Sequence, residues 1–250
     1  MLKKKLKRVI KFSCGLLLAL GLWQLAIFLF QIPTYLLPRP TAVLMFLINN
    51  YALLLQHAVT TLMEVLLSLV IGCCFGFLMA YLMLCAPKLQ KSLQSFFILS
   101  QCVPIFIISP FIVLWFGFGL VSKIIIASLL IFFPVVINVY DGLSRTPVKY
   151  LELASTMNAK PWLVLRYIRL PAALPLIVAG LKLAAVAAPI GAVVGEWAGA
   201  SSGLGYFMQY SNNLMDIEGM FAALILLAAG SIVLYLLVDW LGQKLLFWLQ

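Results

Sequence analysis

Residues 145–171 read RTPVKYLELASTMNAKPWLVLRYIRLP. This is the one long, basic, water-compatible segment in an otherwise apolar chain. A chain dissolved in lipid keeps such a segment for contacts outside the bilayer. Thr146 is placed as an N-cap and Pro147 suits a first helical position. From there Tyr150, Leu153, Ala154 and Met157 recur at i, i+3, i+4, i+7 and form one apolar stripe. Lys149, Glu152, Thr156 and Lys160 line a second face. Asn158 follows the stripe where a left-handed C-cap is expected, a conformation that Asn tolerates. Pro161 then opens a second short helix, which Leu170-Pro171 closes. The expectation is helix, turn, helix on the membrane surface, with a stripe suited to a groove on a partner protein.

Composition demands the bilayer. The chain has 250 residues, 65% hydrophobic and 10% charged. A soluble domain of that length could not bury so much apolar surface. The net charge of +10 does not indicate nucleic acid, because the charges flank apolar runs and make no basic face among polar residues. Neither a linker nor a low-complexity tract marks a second domain, so residues 1–250 are read as one transmembrane unit. The five cysteines (Cys14, Cys73, Cys74, Cys85, Cys102) lie in or beside apolar runs without a CxxC pair, and His57 is the sole histidine. A histidine-based metal cluster is therefore excluded.

Six segments are apolar enough to span: about 12–31, 60–84, 96–117, 121–140, 174–198 and 220–241. The first follows basic residues but is long enough to cross, so it reads as a retained helix. The third and fourth are separated by a tight turn near Gly117–Gly119. Residues 41–56 are apolar but short, interrupted by Asn49 and Asn50, and are placed at the outer surface. Of the 17 Lys and Arg, 14 fall on the face that holds both termini, Arg39 and Lys123 fall on the other, and Lys182 lies within the fifth segment. The basic face is cytoplasmic by the positive-inside rule, so both ends are expected there. Pro104, Pro110, Pro134 and Pro189 lie inside spans, with Gly72, Gly76, Gly191 and Gly195. Their concentration in spans three to five favours a gated core.

The surface segment resembles a known family. Glu152-Leu153-Ala154, three residues, Asn158, nine residues, Ile168-Arg169-Leu170-Pro171 is similar to the EAA loop of ABC-importer permeases, Glu-Ala-Ala, three residues, Gly, nine residues, Ile-x-Leu-Pro. The spacing matches throughout. Leu153 replaces an Ala and Asn158 a Gly. Asn keeps the turn conformation, and Leu adds bulk to the stripe. Leu37-Pro38-Arg39-Pro40, Leu114-Trp115-Phe116-Gly117-Phe118-Gly119 and Gly195-Glu196-Trp197 resemble the nitrate/sulfonate/taurine branch. So does the stretch Gly199 to Tyr206 that follows, and within that branch Gly195-Glu196-Trp197, then Gly203-Leu204-Gly205-Tyr206 and a Met/Gln/Asn-rich stretch look most like permeases for thiamine precursors of the hydroxymethylpyrimidine type.

The resemblance implies an all-α, polytopic type I importer permease in a bacterial inner membrane. It implies a second permease chain, ABC ATPase subunits and an extracytoplasmic solute-binding protein, with lipid as solvent. No GxxxxGK[ST] loop occurs, so ATP is hydrolysed by a separate subunit and no cofactor is expected on this chain. The implied ATPase-coupling residues are Tyr150, Glu152, Leu153, Ala154, Met157, Asn158, Ile168, Leu170 and Pro171. Those of the translocation path or outer gate are Glu196, Trp197, Ser202, Gly203 and Gly205. The solute is expected to be a small organic molecule: a thiamine precursor, or alternatively a sulfonate, taurine or nitrate.

Other polar residues carry simpler expectations. Glu64, one turn inside span two, and Lys182, two turns inside span five, lie near opposite faces and should not pair with each other. Lys182 should reach back to the cytoplasmic interface. Glu64 has no assigned role. Asp239 is a wet boundary charge, and Asp216 and Glu218 are charges of an outer loop. An ion-coupled secondary transporter would need ionisable groups at mid-span in paired halves. A membrane enzyme would need clustered carboxylates, histidines or metal ligands. The scattered acids fit neither.

Overall fold

The computed structural model describes residues 15, 18 and 21–247. Among these the fold is helical throughout: α1 (Gly21–Phe30), α2 (Pro40–Asn49), α3 (Tyr51–Cys85), α4 (Pro87–Ser100), α5 (Ile105–Phe116), α6 (Leu120–Ser144), α7 (Val148–Thr156), α8 (Pro161–Val164), a π turn (Leu165–Arg169), α9 (Leu170–Gly199), α10 (Leu204–Asn213) and α11 (Ile217–Leu245). Four helices are long and apolar enough to cross a bilayer: α3, α6, the continuous Pro161–Gly199 and α11. Most of the expected first span lies outside the described residues.

The expected third span, 96–117, is broken. Gln101 to Pro104 turn between α4 and α5, because Pro104 lacks an N–H and drives the preceding residue out of helical geometry. Pro110, by contrast, is held inside α5. Its missing N–H would leave the Phe106 carbonyl free, and the Ser109 hydroxyl donates to that oxygen at 2.9 Å. The outer segment 41–56 is also shorter than expected. Asn50 ends α2, donating from Nδ2 to the Phe46 carbonyl, and residues 51–56 belong to α3. At 35 residues α3 is about 50 Å long, well beyond the roughly 30 Å apolar core, so it must tilt or extend past the bilayer. The Gly117–Gly119 turn is present, with both glycines at positive φ.

The core is the interface of α3, α6 and α9. Val65, Ile131, Val135, Val139, Ile177, Ala184 and Ala188 fill it. Small residues let the helices approach closely: a Cβ at Gly72 would lie 2.8 Å from Ile131, and one at Gly191 would lie 2.6 Å from the Ala127 backbone. Two ends of this three-helix core carry the polar sites.

Candidate functional sites at the two membrane faces

At one end of this core, the end expected to be cytoplasmic, α7 and α8 form the elbow read from the sequence, with two corrections. Helix α7 begins at Val148, and Pro147, not Thr146, occupies its N-cap position. Thr146 is buried and its hydroxyl donates to the Leu143 carbonyl at 3.1 Å, so it closes α6 instead. Leu170-Pro171 does not end a separate helix either. The chain runs from Pro161 to Gly199 without a break, through the π turn at 165–169. The wider turn accommodates Pro171, which has no N–H for the carbonyl one turn back.

The cap on α7 is as expected. Asn158 is left-handed at φ 50°. Its N–H donates to Ser155 O at 3.0 Å, and the Ala159 N–H donates to Ala154 O at 3.0 Å. That pair of bonds is a Schellman closure. The predicted stripe divides: Ala154 is buried against the body, while Tyr150, Leu153 and Met157 are exposed. Glu152 and Asn158 are exposed beside them, and Ile168 and Leu170 are half-buried at the root of α9.

At the opposite end, α3 presents His57, Thr61 and Glu64 on one face to α6, α9 and the loop before α10. The first turn of α10 has N–H groups without helical acceptors. Its N-cap, Gly203, has no side chain to supply them. Residues from other helices do so. Gly203 N–H donates to His57 Nδ1 at 3.1 Å, Leu204 N–H to Thr61 Oγ1 at 2.7 Å, and Tyr206 N–H to Glu196 Oε2 at 3.0 Å. Thr61 Oγ1 donates in turn to Glu196 Oε1 at 2.6 Å. Glu196 is fully buried. A carboxylate on the positive end of α10 is favourably placed.

A second polar contact lies alongside. Lys123 Nζ, buried in the first turn of α6, reaches Glu64 Oε1 at 2.6 Å and the Ser202 carbonyl at 3.3 Å. Lys123 is therefore a buried, paired charge, and Glu64, which had no assigned role, has a partner. A cavity of about 470 Å³ opens beside this pair, lined by Thr60, Glu64, Phe118, Lys123 and residues 199–202. Trp197 stays half-exposed and ties its indole N–H to the Gly205 carbonyl at 3.0 Å. Of the expected outer set, Glu196, Ser202, Gly203 and Gly205 thus converge on one cluster. His57, Thr61, Glu64 and Lys123 join it without having been singled out for it. Their signal was present: 57, 61 and 64 fall on one helical face of an otherwise apolar span.

This arrangement of a basic elbow, a close-packed three-helix core and a polar cluster at the opposite end has counterparts. The family description "Binding-protein-dependent transport system inner membrane component" matches residues 72–247. This chain belongs to that family. It is 44% identical over 91% of its length to a "Probable ABC transporter permease protein" of Haemophilus influenzae, covering 93% of that protein. It is 34% identical to the formylaminopyrimidine transport permease protein ThiX of Halalkalibacterium halodurans, covering 93% of each. The riboflavin transport system permease protein RibX of Chloroflexus aurantiacus is also 34% identical, with 93% of this chain and 88% of that one covered. The fold matches a chain of the inward-facing MetNI methionine ABC transporter with a TM-score of 0.68 at 21% identity, over 79% of this chain and 98% of that one.

The permease is thus a multi-pass inner-membrane component with the type I importer fold, and it is not itself an enzyme. Its ATPase is a separate subunit, and a solute-binding protein is a partner of the complex. Two further charges in its spans are accounted for. Lys182 of α9 pairs with Asp239 of α11, and Asp239 also accepts from Gln243 at 2.7 Å. Both stay partly exposed, and their pairing with each other was not expected from the sequence. Asp216 caps α11, accepting from the Gly219 N–H at 3.0 Å, so it too is more than a solvated loop acid.

Proposed function

We propose that the permease passes a small, flat nitrogen heterocycle, a pyrimidine-type thiamine precursor, through a binding-protein-dependent importer. The observation that carries this reading is the likeness, over 93% of both chains, to a protein named for formylaminopyrimidine transport. The riboflavin permease likeness points the same way, since riboflavin also contains a fused pyrimidine ring. The outer cavity supports an uncharged or cationic solute over a sulfonate or nitrate. Lys123 is the one basic side chain lining it, and Glu64 already engages that ammonium. No surplus positive charge is left there for an anion.

In this reading ATP closes the ATPase subunits, which press on the elbow at 147–171. Tyr150, Leu153 and Met157 supply the apolar contact and Glu152 a charge-assisted one. The motion rocks α5, α6 and α9 and opens the outer cluster, where Glu196, Trp197, Ser202, Gly203 and Gly205 form the gate. Residues 1–250 act as one permease unit, paired with a second copy, and no cofactor is required of this chain.

Two experiments test it. The partner binding protein, purified with its bound ligand, should carry a pyrimidine, and the reconstituted complex should take up formylaminopyrimidine in preference to taurine. Preferred uptake of taurine would overturn the solute reading and leave the family intact. For orientation, a reporter fused after Asn50 should be extracytoplasmic and one fused after Lys160 cytoplasmic. A Lys160 fusion reporting outside would remove the elbow from the ATPase altogether.

A further inference from the structure

Helix α6 ends among carbonyls that have no partner within the helix, Leu143 O among them. Two groups converge on that oxygen. One is the Thr146 hydroxyl from the same chain end. The other is Arg169 Nη1, which reaches across from the π turn at 3.2 Å. The guanidinium thus sits on the negative end of the α6 dipole, where a cation is stabilised. Immediately beside it the two helices touch at backbone distance: a Cβ on Gly142 would lie 3.0 Å from both the Cβ and the carbonyl oxygen of Ala173. The same two helices meet again at the far end, where a Cβ on Gly195 would lie 3.0 Å from the Lys123 backbone.

The consequence is mechanical. The elbow leaves α6 at Ser144 and rejoins the membrane through the π turn into α9. The two helices pack along their length, but beyond Gly142 the end of α6 and the root of α9 diverge into the elbow, where a push on α7 acts. Arg169 bridges the open side of that elbow, from the root of α9 back to the end of α6. Helices α6 and α9 are then one lever, and each carries one of the two side chains that bind α3 at the outer cluster, Lys123 and Glu196.

We infer that Arg169 is a positioning residue for transport: its bond to the Leu143 carbonyl makes α6 and α9 move together, so that force on the elbow reaches the outer cluster. The inference rests on the importer reading above. It adds a residue that touches neither solute nor the exposed docking stripe.

The test reads the outer cluster while perturbing the inner end. A cysteine at Ser202, in a chain whose native cysteines are replaced, is labelled from outside in the assembled complex with and without ATP. The ratio of the two rates is the readout, which a loss of folded protein does not move. Arg169→Gln should reduce the ATP-dependent change about tenfold, the size of a typical coupling effect between sites. Arg169→Lys, which keeps a charged donor, should recover part of it. Arg169→Lys also keeps the test available if Arg169→Gln alone assembles poorly. An unchanged ratio in Arg169→Gln, or a ratio in Arg169→Lys no better than in Arg169→Gln, overturns the lever. A wild-type ratio of one would instead refute the outer gate, a separate failure.

Discussion

Gly203→Ala is expected to abolish most uptake while the protein still inserts. Gly203 lies at φ 121°, outside the range that a residue with a Cβ adopts readily. Backbone strain of this kind costs on the order of 1–3 kcal/mol. Space is the stricter constraint. A Cβ there would overlap the carboxyl group of Glu196, and one at Gly205 would lie 2.8 Å from Glu196 Oε2. Glu196 cannot retreat cheaply, because it accepts from both Thr61 and the Tyr206 N–H. The methyl group must therefore push the α10 start off its borrowed caps. Glu196→Gln approaches the same contacts from the other side. It keeps the size but turns one acceptor into a donor facing a donor, at about 1–3 kcal/mol for a buried group left unpaired. Both variants should raise ATP hydrolysis in the absence of binding protein, with uptake lowered. Normal uptake by Gly203→Ala would show that the cluster holds no closed state. A loss confined to the amount of assembled complex would make the cluster structural.

What the sequence disclosed follows physical range. The Asn158 cap was legible because every participant lies within five residues, and local spacing fixes local hydrogen bonds. The surface elbow was legible because charges inside an apolar chain have few places to go. Gly203 and Gly205 drew attention through motif, yet what demands glycine there is a carboxylate on another helix. The Lys123–Glu64 contact joins residues 59 apart, and only helix packing brings them together. Lys123 counts only as a charge on the outer face, at the start of the 121–140 span, and such a count cannot detect that the first turn of α6 is buried against α3. Similarly, Lys182 and Asp239 each looked like an interfacial charge until α9 and α11 were seen side by side. The break before α5 was a matter of choosing among prolines. Pro104 and Pro110 look alike in sequence, and the Ser109 hydroxyl that rescues the second is what separates them.

At the elbow end, the largest effect is expected from Asn158→Val. Residue 158 stands at φ 50° at the turn between α7 and α8, and its N–H and that of Ala159 close α7. The left-handed region costs an L-residue about 1–2 kcal/mol, and a β-branched side chain worsens the clash with its own backbone. Asn offsets that cost through its short polar side chain; Val has no such means. The turn should therefore relax toward an extended or right-handed conformation. Either change re-aims α8 relative to the exposed Tyr150, Leu153 and Met157, so the proposed docking surface loses its shape without losing any residue. Solute-stimulated ATP hydrolysis should fall roughly tenfold for every 1.4 kcal/mol of the productive geometry lost. Basal assembly depends on the buried α3–α6–α9 core and should be spared. Asn158→Gly is the control with the opposite sign, since glycine takes this conformation without a Cβ penalty. It should couple as well as the wild type, or better. Glu152→Lys, which inverts a charge on the exposed face of α7 and leaves the turn intact, should impair coupling in the same assay by a different route. Full coupling in Asn158→Val would mean that the turn is not what sets the elbow. Impaired coupling in Asn158→Gly would mean that the Asn side chain itself touches the partner.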